Sequence, residues 1–112
     1  MRTRLVELLR EKSYRRRRVI LASGRESDFY VDARQTTLHA EGAWIIGSLI
    51  HQALDANVVG IGGLTMGADP IASSVATVSW AAGRPVNAFI VRKEPKGHGT
   101  QTWVEGLANL PP

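Results

Sequence analysis

Residues 58–71 read VVGIGGLTMGADPI, a short β-branched run followed by closely spaced glycines, an aspartate and a proline. The run Val58–Ile61 has the pattern of a buried parallel strand. Asp69 suits a helix N-cap and Pro70 suits the first helical residue, so a helix is predicted to begin there. The glycine-rich turn over residues 62–69 would gather backbone N–H groups and the positive end of that helix, an arrangement that binds anions such as pyrophosphate.

The residues that follow complete a strand–helix–strand unit. The apolar positions Ile71, Val75 and Val78 recur at helical spacing up to Ala82-Gly83, where the glycine is expected to end the helix. Val86–Val91 is a second apolar run, and this order of elements implies parallel strands joined by a right-handed crossover. The sequence therefore predicts an α/β fold with its ligand site at the C-terminal ends of the two strands.

A basic segment follows the second strand. Residues 91–100 read VRKEPKGHGT and contain three permanent cations and one imidazole, at Arg92, Lys93, Lys96 and His98. A proline and two glycines disfavour a helix, so the segment is predicted to be a mobile loop. Guanidinium and ammonium groups bind phosphate oxygens, and histidine exchanges a proton near neutral pH. The segment is therefore predicted to bind a polyanion. The alternative, which applies to any cluster of basic residues, is a solvated surface loop without a ligand.

The N-terminal half is predicted to contain a helix, a hairpin and a second helix. A short amphipathic helix is expected over Arg2–Lys12. Val19–Ala22 and Asp28–Asp32 have the pattern of two short strands joined by the polar segment Ser23–Ser27. The second helix is expected from about Ala40 to Leu54, with an apolar stripe formed by Ile46, Leu49, Ile50, Ala53 and Leu54.

Composition is that of one globular domain without disulfides. The 112 residues suffice for one core, cysteine is absent, and no apolar run approaches the ~20 residues that span a bilayer. The first apolar stretch is interrupted by charge, so no signal peptide is predicted and the cytoplasm is the expected compartment. His39 and His51 lack partners at ligand spacing, so each is expected to be a cap or surface residue, and no metal site is predicted.

The net charge of +4 conceals a strongly basic N-terminal region. Eight of the fourteen Lys and Arg residues precede residue 19, including the run Arg15–Arg18. Four successive arginines could contact nucleic-acid phosphates. Only Tyr14 is an aromatic neighbour and no nucleic-acid-binding motif surrounds the run, so a solvated turn is the preferred interpretation.

Three segments together resemble the orotate phosphoribosyltransferase family. The order Arg-Lys-Glu-x-Lys-x-His-Gly is similar to the family's catalytic loop, Leu21–Asp32 to its N-terminal hairpin, and Gly62–Ala72 to its first phosphate-side loop. The segments occur in the family's order and cover nearly the whole chain. The resemblance implies a single truncated domain, with a helix and β-hairpin hood over residues 1–38. Over residues 39–112 it implies the first part of a type I phosphoribosyltransferase-like parallel sheet with flanking helices.

The resemblance also implies an activity and a set of site residues. The reaction would transfer phosphoribosyl from phosphoribosyl pyrophosphate (PRPP) to orotate, giving orotidine 5′-phosphate and pyrophosphate in de novo pyrimidine synthesis. Magnesium would be carried with PRPP, and a homodimer would let the basic loop reach the partner subunit's site. The residues implied on the PRPP side are Arg92, Lys93, Lys96, His98, Thr65 and Gly67, with Lys96 and His98 as the catalytic candidates. Those implied on the orotate side are Phe29, Tyr30 and Arg25, although alternation across a half-buried strand also explains the two aromatic residues.

The sequence departs from the family's pattern in three places. Many relatives carry lysine where this chain has Ala22, and some carry lysine where it has Met66. The family's later signature, two adjacent acidic residues before a Thr/Gly-rich turn, does not occur in these 112 residues. The isolated chain is therefore expected to turn over poorly or not at all, and to oligomerise or borrow a strand to cover an unpaired sheet edge. The alternative function is a catalytically incompetent anion-binding or dimerisation module derived from the family.

Overall fold

The computed structural model describes residues 1–95 and 103–111, which form a group of short N-terminal elements followed by two long helices and a small mixed sheet. The helices are α1 (Arg2–Leu8), α2 (Arg34–Thr37), α3 (Ala40–Ala53) and α4 (Asp69–Ala81). The strands are β1 (Tyr14–Arg15), β2 (Val19–Ile20), β3 (Glu26–Ser27), β4 (Tyr30–Val31), β5 (Gly60–Leu64), β6 (Asn87–Val91) and β7 (Val104–Glu105). A π-helical turn, Leu9–Ser13, continues α1, and a 3-10 turn, Leu107–Asn109, follows β7.

The main sheet has the order β5–β6–β7, with β6 in the centre. Strands β5 and β6 are parallel, with Gly62 opposite Phe89, and α4 connects them. The predicted strand–helix–strand unit is therefore confirmed. Strand β7 runs antiparallel to β6, with Val104 opposite Val91. The outer edge of β5 has no strand partner within the described ranges.

The core lies where the helices pack on one another and on the sheet. Its five most buried apolar side chains, each at most 3% exposed, are those of Leu8, Ile45, Ala72, Val75 and Val86. Helices α3 and α4 approach each other so closely at Gly47 that a Cβ atom there would lie only 2.7 Å from the carbonyl oxygen of Ser74. The buried residues of α3 are Gly42, Ile45, Gly47, Ser48 and His51, of which all but Ile45 are small or polar.

The apolar stripe predicted for α3 was wrong for that reason. Ile46, Leu49 and Ile50 are only half-buried, and Ala53 is exposed. A stripe chosen by hydrophobicity misses a helix contact made through glycine and serine, where the backbones themselves meet.

The predicted hairpin has a different strand pairing. Val19 and Ile20 pair with Ser27 and Glu26, so the segment 28–32 is not the second strand of the hairpin. The turn closes early because Gly24, at φ +84°, adopts a left-handed conformation and donates its N–H to the Leu21 carbonyl. Strand β4 pairs instead with β1, which places Tyr30 opposite Arg15.

The glycine-rich segment also differs from its predicted structure. Strand β5 covers Gly60–Leu64 rather than Val58–Ile61, and the turn is shortened to Thr65–Ala68. Helix α4 begins one residue earlier than predicted, with Ala68 as the N-cap and Asp69 as the first helical residue. Asp69 accepts a bond from the Thr65 hydroxyl instead of capping the helix. The predicted end of the helix is confirmed, with Gly83 at φ +75°.

The two histidines have different environments. His39 is the N-cap of α3, where Nδ1 accepts a bond from the Gly42 N–H at 3.2 Å, as the sequence predicted. His51 was expected to be a cap or surface residue, which is wrong, since it is 5% exposed and its Nε2 lies 3.0 Å from the Arg84 carbonyl oxygen. The Arg84 guanidinium in turn donates to the His51 carbonyl oxygen at 2.6 Å, so the C-terminal end of α3 is tied to the turn before β6.

Helix α1 is joined to α3 by an ion pair whose effect depends on pH. Arg4 donates from Nε and Nη2 to the two carboxylate oxygens of Glu41 at 2.8 and 2.9 Å. These hydrogen bonds lower the pKa of Glu41 below its ordinary value of 4.5. Because the folded-state pKa is the lower one, the pair stabilises the fold above that value and loses its effect as the pH falls through the folded-state pKa.

We expect Glu41→Gln to lower the midpoint of thermal unfolding near neutral pH, and the difference from the original chain to shrink progressively below pH 4.5. Circular dichroism melts across that range measure it. Glu7→Gln is the matched control, because Glu7 pairs with Arg4 inside the same helix and joins no second element. A difference for Glu41→Gln that stays constant down to strongly acidic pH would contradict the linkage.

Candidate active site

One cleft contains both the end of the glycine-rich segment and the start of the basic segment. Its volume is about 510 Å³, and its lining residues are Thr65, Asp69, Ile90, Arg92, Lys93, Glu94 and Glu105. Thr65 follows β5, Asp69 begins α4, and Arg92 follows β6. The cleft therefore lies at the C-terminal ends of the two parallel strands.

Backbone hydrogen bonds bring the two segments together. The Thr65 N–H donates to the Val91 carbonyl at 2.9 Å, which extends the pairing of β5 with β6 to the start of the turn. The Arg92 N–H donates to the Trp103 carbonyl at 2.7 Å, which extends the pairing of β6 with β7 in the same direction. The backbone hydrogen bonds of the sheet thus hold Thr65 and Arg92 at the ends of neighbouring strands.

The Arg92 side chain bonds to acceptors within the cleft. Its Nε donates to the Glu94 carbonyl at 3.2 Å, and its Nη1 lies 3.4 Å from Glu105 Oε1. The side chain is 38% exposed, so solvent still reaches it. Lys93 lines the same space. The cleft therefore offers two permanent cations, beside carboxylates that reduce its positive charge.

Thr65 and Asp69 form a hydrogen-bonded pair at the entrance to α4. The Thr65 hydroxyl donates to Asp69 Oδ2 at 2.6 Å. A carboxylate in the first helical turn is stabilised by the positive end of the helix. Its second oxygen, Oδ1, is buried and has no hydrogen-bond partner among residues 1–95 and 103–111. Because the hydroxyl hydrogen is directed to Asp69, the Thr65 side chain does not offer that hydrogen to a ligand.

The backbone of the turn has donors that remain available. The amide groups of Met66 and Gly67 have no acceptor in the described part of the chain. A Cβ atom at Gly67 would have no neighbour within 4 Å, so the turn is open on that side. The turn can thus bind an anion through main-chain N–H groups.

A second, smaller groove lies in the N-terminal region. Its volume is about 260 Å³, and it is lined by Lys12, Ser13, Arg15, Arg17, Tyr30, Asp32 and Gln35. The Arg17 guanidinium lies over the Tyr30 ring, 6.0 Å from the ring centroid, which is within the range of a cation–π contact. The groove combines an aromatic face with several cations, which suits a flat anionic ligand.

The other residues predicted on the orotate side lie elsewhere. Phe29 is 51% exposed and stacks on Tyr14, with ring centroids 6.0 Å apart. Arg25 is exposed in the hairpin turn. Of the three predicted residues, only Tyr30 lines the groove that contains Arg17.

A third groove adjoins the groove of Tyr30. It is lined by Arg34, Gln35, Leu38, Met66 and Pro70. Gln35 also lines the groove of Tyr30, and Met66 follows Thr65 of the main cleft. The third groove therefore shares a lining residue with the groove of Tyr30, and one of its other lining residues is next in sequence to Thr65 of the main cleft.

Two predicted catalytic residues, Lys96 and His98, lie outside the described residues. Within the described ranges, no group of three or more histidine or acidic side chains could hold a metal ion. Among the helices of the described ranges, none meets the length and hydrophobicity that a transmembrane span requires, and α3, with 14 residues, is the longest.

Several lining residues of these grooves were not predicted as part of a site, among them Asp69, Glu105 and Arg17. Asp69 was considered only as a helix cap, Arg17 only as a member of the run Arg15–Arg18, and Glu105 was not singled out. The position of Glu105 depends on the register of β7, which no sequence pattern reveals. A signal for Arg17 was present, because the arginine run adjoins the strands that carry the aromatic residues.

The other arginines of the run mostly have partners within the chain. Arg15 donates to the carbonyl oxygens of Glu11 and Tyr14, and Arg18 forms an ion pair with Glu26. Three of the four arginines of the run therefore contact other residues of the chain, namely Arg15, Arg17 and Arg18.

Known proteins resemble the chain in sequence. The orotate phosphoribosyltransferase of Bradyrhizobium diazoefficiens is 50% identical over 107 residues, covering 95% of this chain and 57% of the relative. That of Sorangium cellulosum is 49% identical over 113 residues, covering 99% and 59%. The chain thus spans about three fifths of the length of these relatives. No model of a known protein family matches it.

Solved structures resemble it in fold. Mycobacterium tuberculosis orotate phosphoribosyltransferase in complex with Fe(III) dicitrate aligns with a TM-score of 0.75 and 45% identity, over 93% of this chain and 58% of that one. A phosphoribosyltransferase from Corynebacterium diphtheriae aligns with a TM-score of 0.67 and 40% identity, over 93% and 56%. The expected α/β fold of the phosphoribosyltransferase type is confirmed. The chain is therefore similar, over nearly its whole length, to about three fifths of an orotate phosphoribosyltransferase.

Proposed function

We propose that the chain is part of an orotate phosphoribosyltransferase, a glycosyltransferase that moves the phosphoribosyl group of PRPP to orotate and releases pyrophosphate. The observation that carries the proposal is the cleft at the strand ends, where the Thr65 turn meets Arg92 and Lys93. Backbone donors and two cations around one space suit a diphosphate.

The proposed role of the cations is to stabilise the leaving group. As the bond between the sugar and the diphosphate breaks, positive charge develops on the ribose and negative charge on the departing oxygen. Arg92 offers a planar fork to phosphate oxygens, and Lys93 a second positive charge. Lys96 and His98 would follow in the same segment, His98 as a further ligand or as a proton donor to the leaving group. Contacts that strengthen as this charge grows favour the transition state over the ground state.

The N-terminal groove is the proposed site of the base. The Tyr30 ring would lie against orotate, and Arg17 would attract its carboxylate. Arg25 and Phe29, which were predicted for the same role, do not line this groove, so the proposal gives them no contact with the base. Residues 1–38 would then act as a hood over the base, and residues 39–112 as the first part of the α/β core.

Magnesium, a homodimer and a cytoplasmic location complete the proposal. The described residues do not fit a resident metal ion, because they provide no cluster of metal ligands. Magnesium would therefore arrive with PRPP and reduce the charge of its diphosphate. In the homodimer, the basic loop would reach the partner subunit's cleft.

The second candidate function is an anion-binding or dimerisation module without catalysis. The observation that favours it is the outer edge of β5, which is unpaired within the described ranges and carries the exposed side chain of Leu64. A second copy of the chain could cover such an edge by adding a strand.

Calorimetric titration of the 112-residue chain with pyrophosphate, PRPP and orotate separates these functions. Binding of PRPP in the presence of magnesium, followed by binding of orotate, supports the transferase. Binding of the phosphate ligands without orotate supports the module. No binding of either phosphate ligand would overturn the transferase and the anion-binding module, and would leave the dimerisation module as the remaining candidate.

We expect Tyr30→Ala to weaken orotate binding about fivefold and to leave pyrophosphate binding unchanged, because the lost aromatic contact lies in the N-terminal groove. Titration with orotate in the presence of PRPP measures the first effect, and titration with pyrophosphate the second. Phe29→Ala is the matched control, since it removes a neighbouring aromatic ring that lies outside the groove. Equal losses of orotate affinity in the two variants would argue against the proposed role of Tyr30.

A further inference from the structure

Glu105 lies beside the cation that the proposed function assigns to the diphosphate. Strand β7 pairs with the end of β6, with Glu105 opposite Ile90. Both residues line the cleft at the strand ends, together with Arg92. The Glu105 carboxylate is 44% exposed, so a ligand can reach it within a space whose other features favour an anion.

Arg92 contacts two acceptors that belong to the chain itself. Nη1 of Arg92 lies 3.4 Å from Glu105 Oε1, and Nε donates to the Glu94 carbonyl. At 3.4 Å the contact with Glu105 is longer than a typical charge-assisted hydrogen bond, so it is a weak one. A diphosphate that engages the guanidinium fork in the same direction must replace this carboxylate or bind beside it.

We propose that Glu105 sets the anion affinity of the cleft by competing with the ligand for Arg92. The inference rests on the proposed function, which makes Arg92 a diphosphate ligand. Without a ligand, Glu105 is one of the acceptors that the guanidinium contacts. With a diphosphate bound, its charge opposes the ligand. Glu105 therefore makes binding weaker than the cations alone would give, and it favours release of pyrophosphate once that product has formed.

The sign of this effect distinguishes it from a structural role. Loss of a residue that merely supports the cleft weakens binding, whereas loss of a competitor strengthens it. We expect Glu105→Gln to bind pyrophosphate roughly threefold to tenfold more tightly, because one negative charge leaves a partly exposed site near the ligand. Glu105→Ala is a second variant that removes both the charge and the hydrogen-bond acceptor, and it should show a gain of similar size.

Glu94→Gln is the matched control. Glu94 lines the same cleft, but only its backbone carbonyl contacts Arg92, so the substitution removes an equal charge and keeps that contact. We expect a smaller gain in affinity for Glu94→Gln than for Glu105→Gln. In an Arg92→Ala background, the gain from Glu105→Gln should fall to the size of the gain from Glu94→Gln.

Isothermal titration with pyrophosphate at constant ionic strength measures these affinities, and circular dichroism verifies that each variant is folded. Equal gains for the two glutamine variants, or unchanged or weaker binding by both Glu105 variants, would overturn the inference while leaving the proposed function intact. If the original chain binds no pyrophosphate, the proposed function fails, and the inference with it.

Discussion

Replacing Arg92 by alanine is expected to weaken pyrophosphate binding roughly tenfold to a hundredfold, because a hydrogen bond to a charged group contributes about 1.5–3 kcal/mol. The backbone ladder places Arg92 next to the Thr65 turn, so its guanidinium and the turn's N–H groups can bind the same ligand. Titration of the folded variant with pyrophosphate gives the affinity. Arg92→Lys should recover only part of the loss, since lysine keeps the charge but lacks the planar fork.

The control for this prediction is Arg16→Ala. Arg16 is an exposed arginine between β1 and β2 and lines none of the grooves described above, so its loss changes the net charge by the same amount. We expect it to weaken binding far less, with a difference that shrinks as salt is added. If Arg16→Ala and Arg92→Ala reduce affinity equally, the chain attracts pyrophosphate only through its net charge, and the cleft is not the binding site.

The position of the cleft follows from features that the sequence carries directly. The apolar run Val86–Val91, Pro70 at the start of a helix, and a glycine segment before it specify two parallel strands with a helix between them. Parallel strands joined in this way end at one edge, so Thr65 and Arg92 come together although 26 residues separate them. The proximity of Thr65 and Arg92 can be predicted without knowing how the side chains pack. The structure confirms the strand–helix–strand unit on which that prediction depends.

The glycines were harder to interpret because the same residue serves two purposes. Gly62 and Gly63 were assigned to a turn, yet they pair with Phe89 and Ile90 as part of β5. A glycine in a strand permits close approach of a neighbouring chain, and the sequence does not distinguish this from conformational freedom in a turn. Gly47 in α3 is equally hard to interpret from the sequence, because it leaves space for the Ser74 backbone of α4 rather than marking a turn.

The short N-terminal strands and the contact between Arg92 and Glu105 depend on register. Strands of two residues have almost no periodicity, so the pairing of Tyr14 with Val31 could not be predicted from alternation. The register of β7 likewise decides whether Glu105 or a neighbour reaches Arg92. Such contacts are determined by backbone hydrogen bonding between distant segments, which leaves little trace in composition.

Gly62→Ala is expected to destabilise the fold by about 3 kcal/mol, because an added methyl group has no space between β5 and β6. A Cβ atom at Gly62 would lie 2.3 Å from the Phe89 carbonyl oxygen and 2.5 Å from the nearest atom of the Phe89 ring. Relief requires the two strands to separate or the ring to move, and either change disturbs the parallel pairing on which the cleft depends. Urea unfolding followed by circular dichroism gives the change in free energy.

Gly67→Ala is the matched control for this substitution, since Gly67 lies in the turn that directly follows the strand. Its φ is outside the left-handed region, and a Cβ atom there would have no neighbour within 4 Å. We therefore expect a change within about 0.5 kcal/mol. Similar stabilities for Gly62→Ala and Gly67→Ala would mean that the contact between Gly62 and Phe89 does not hold the strands together. The glycine at position 62 would then be needed neither for the sheet nor for the geometry that brings Thr65 to Arg92.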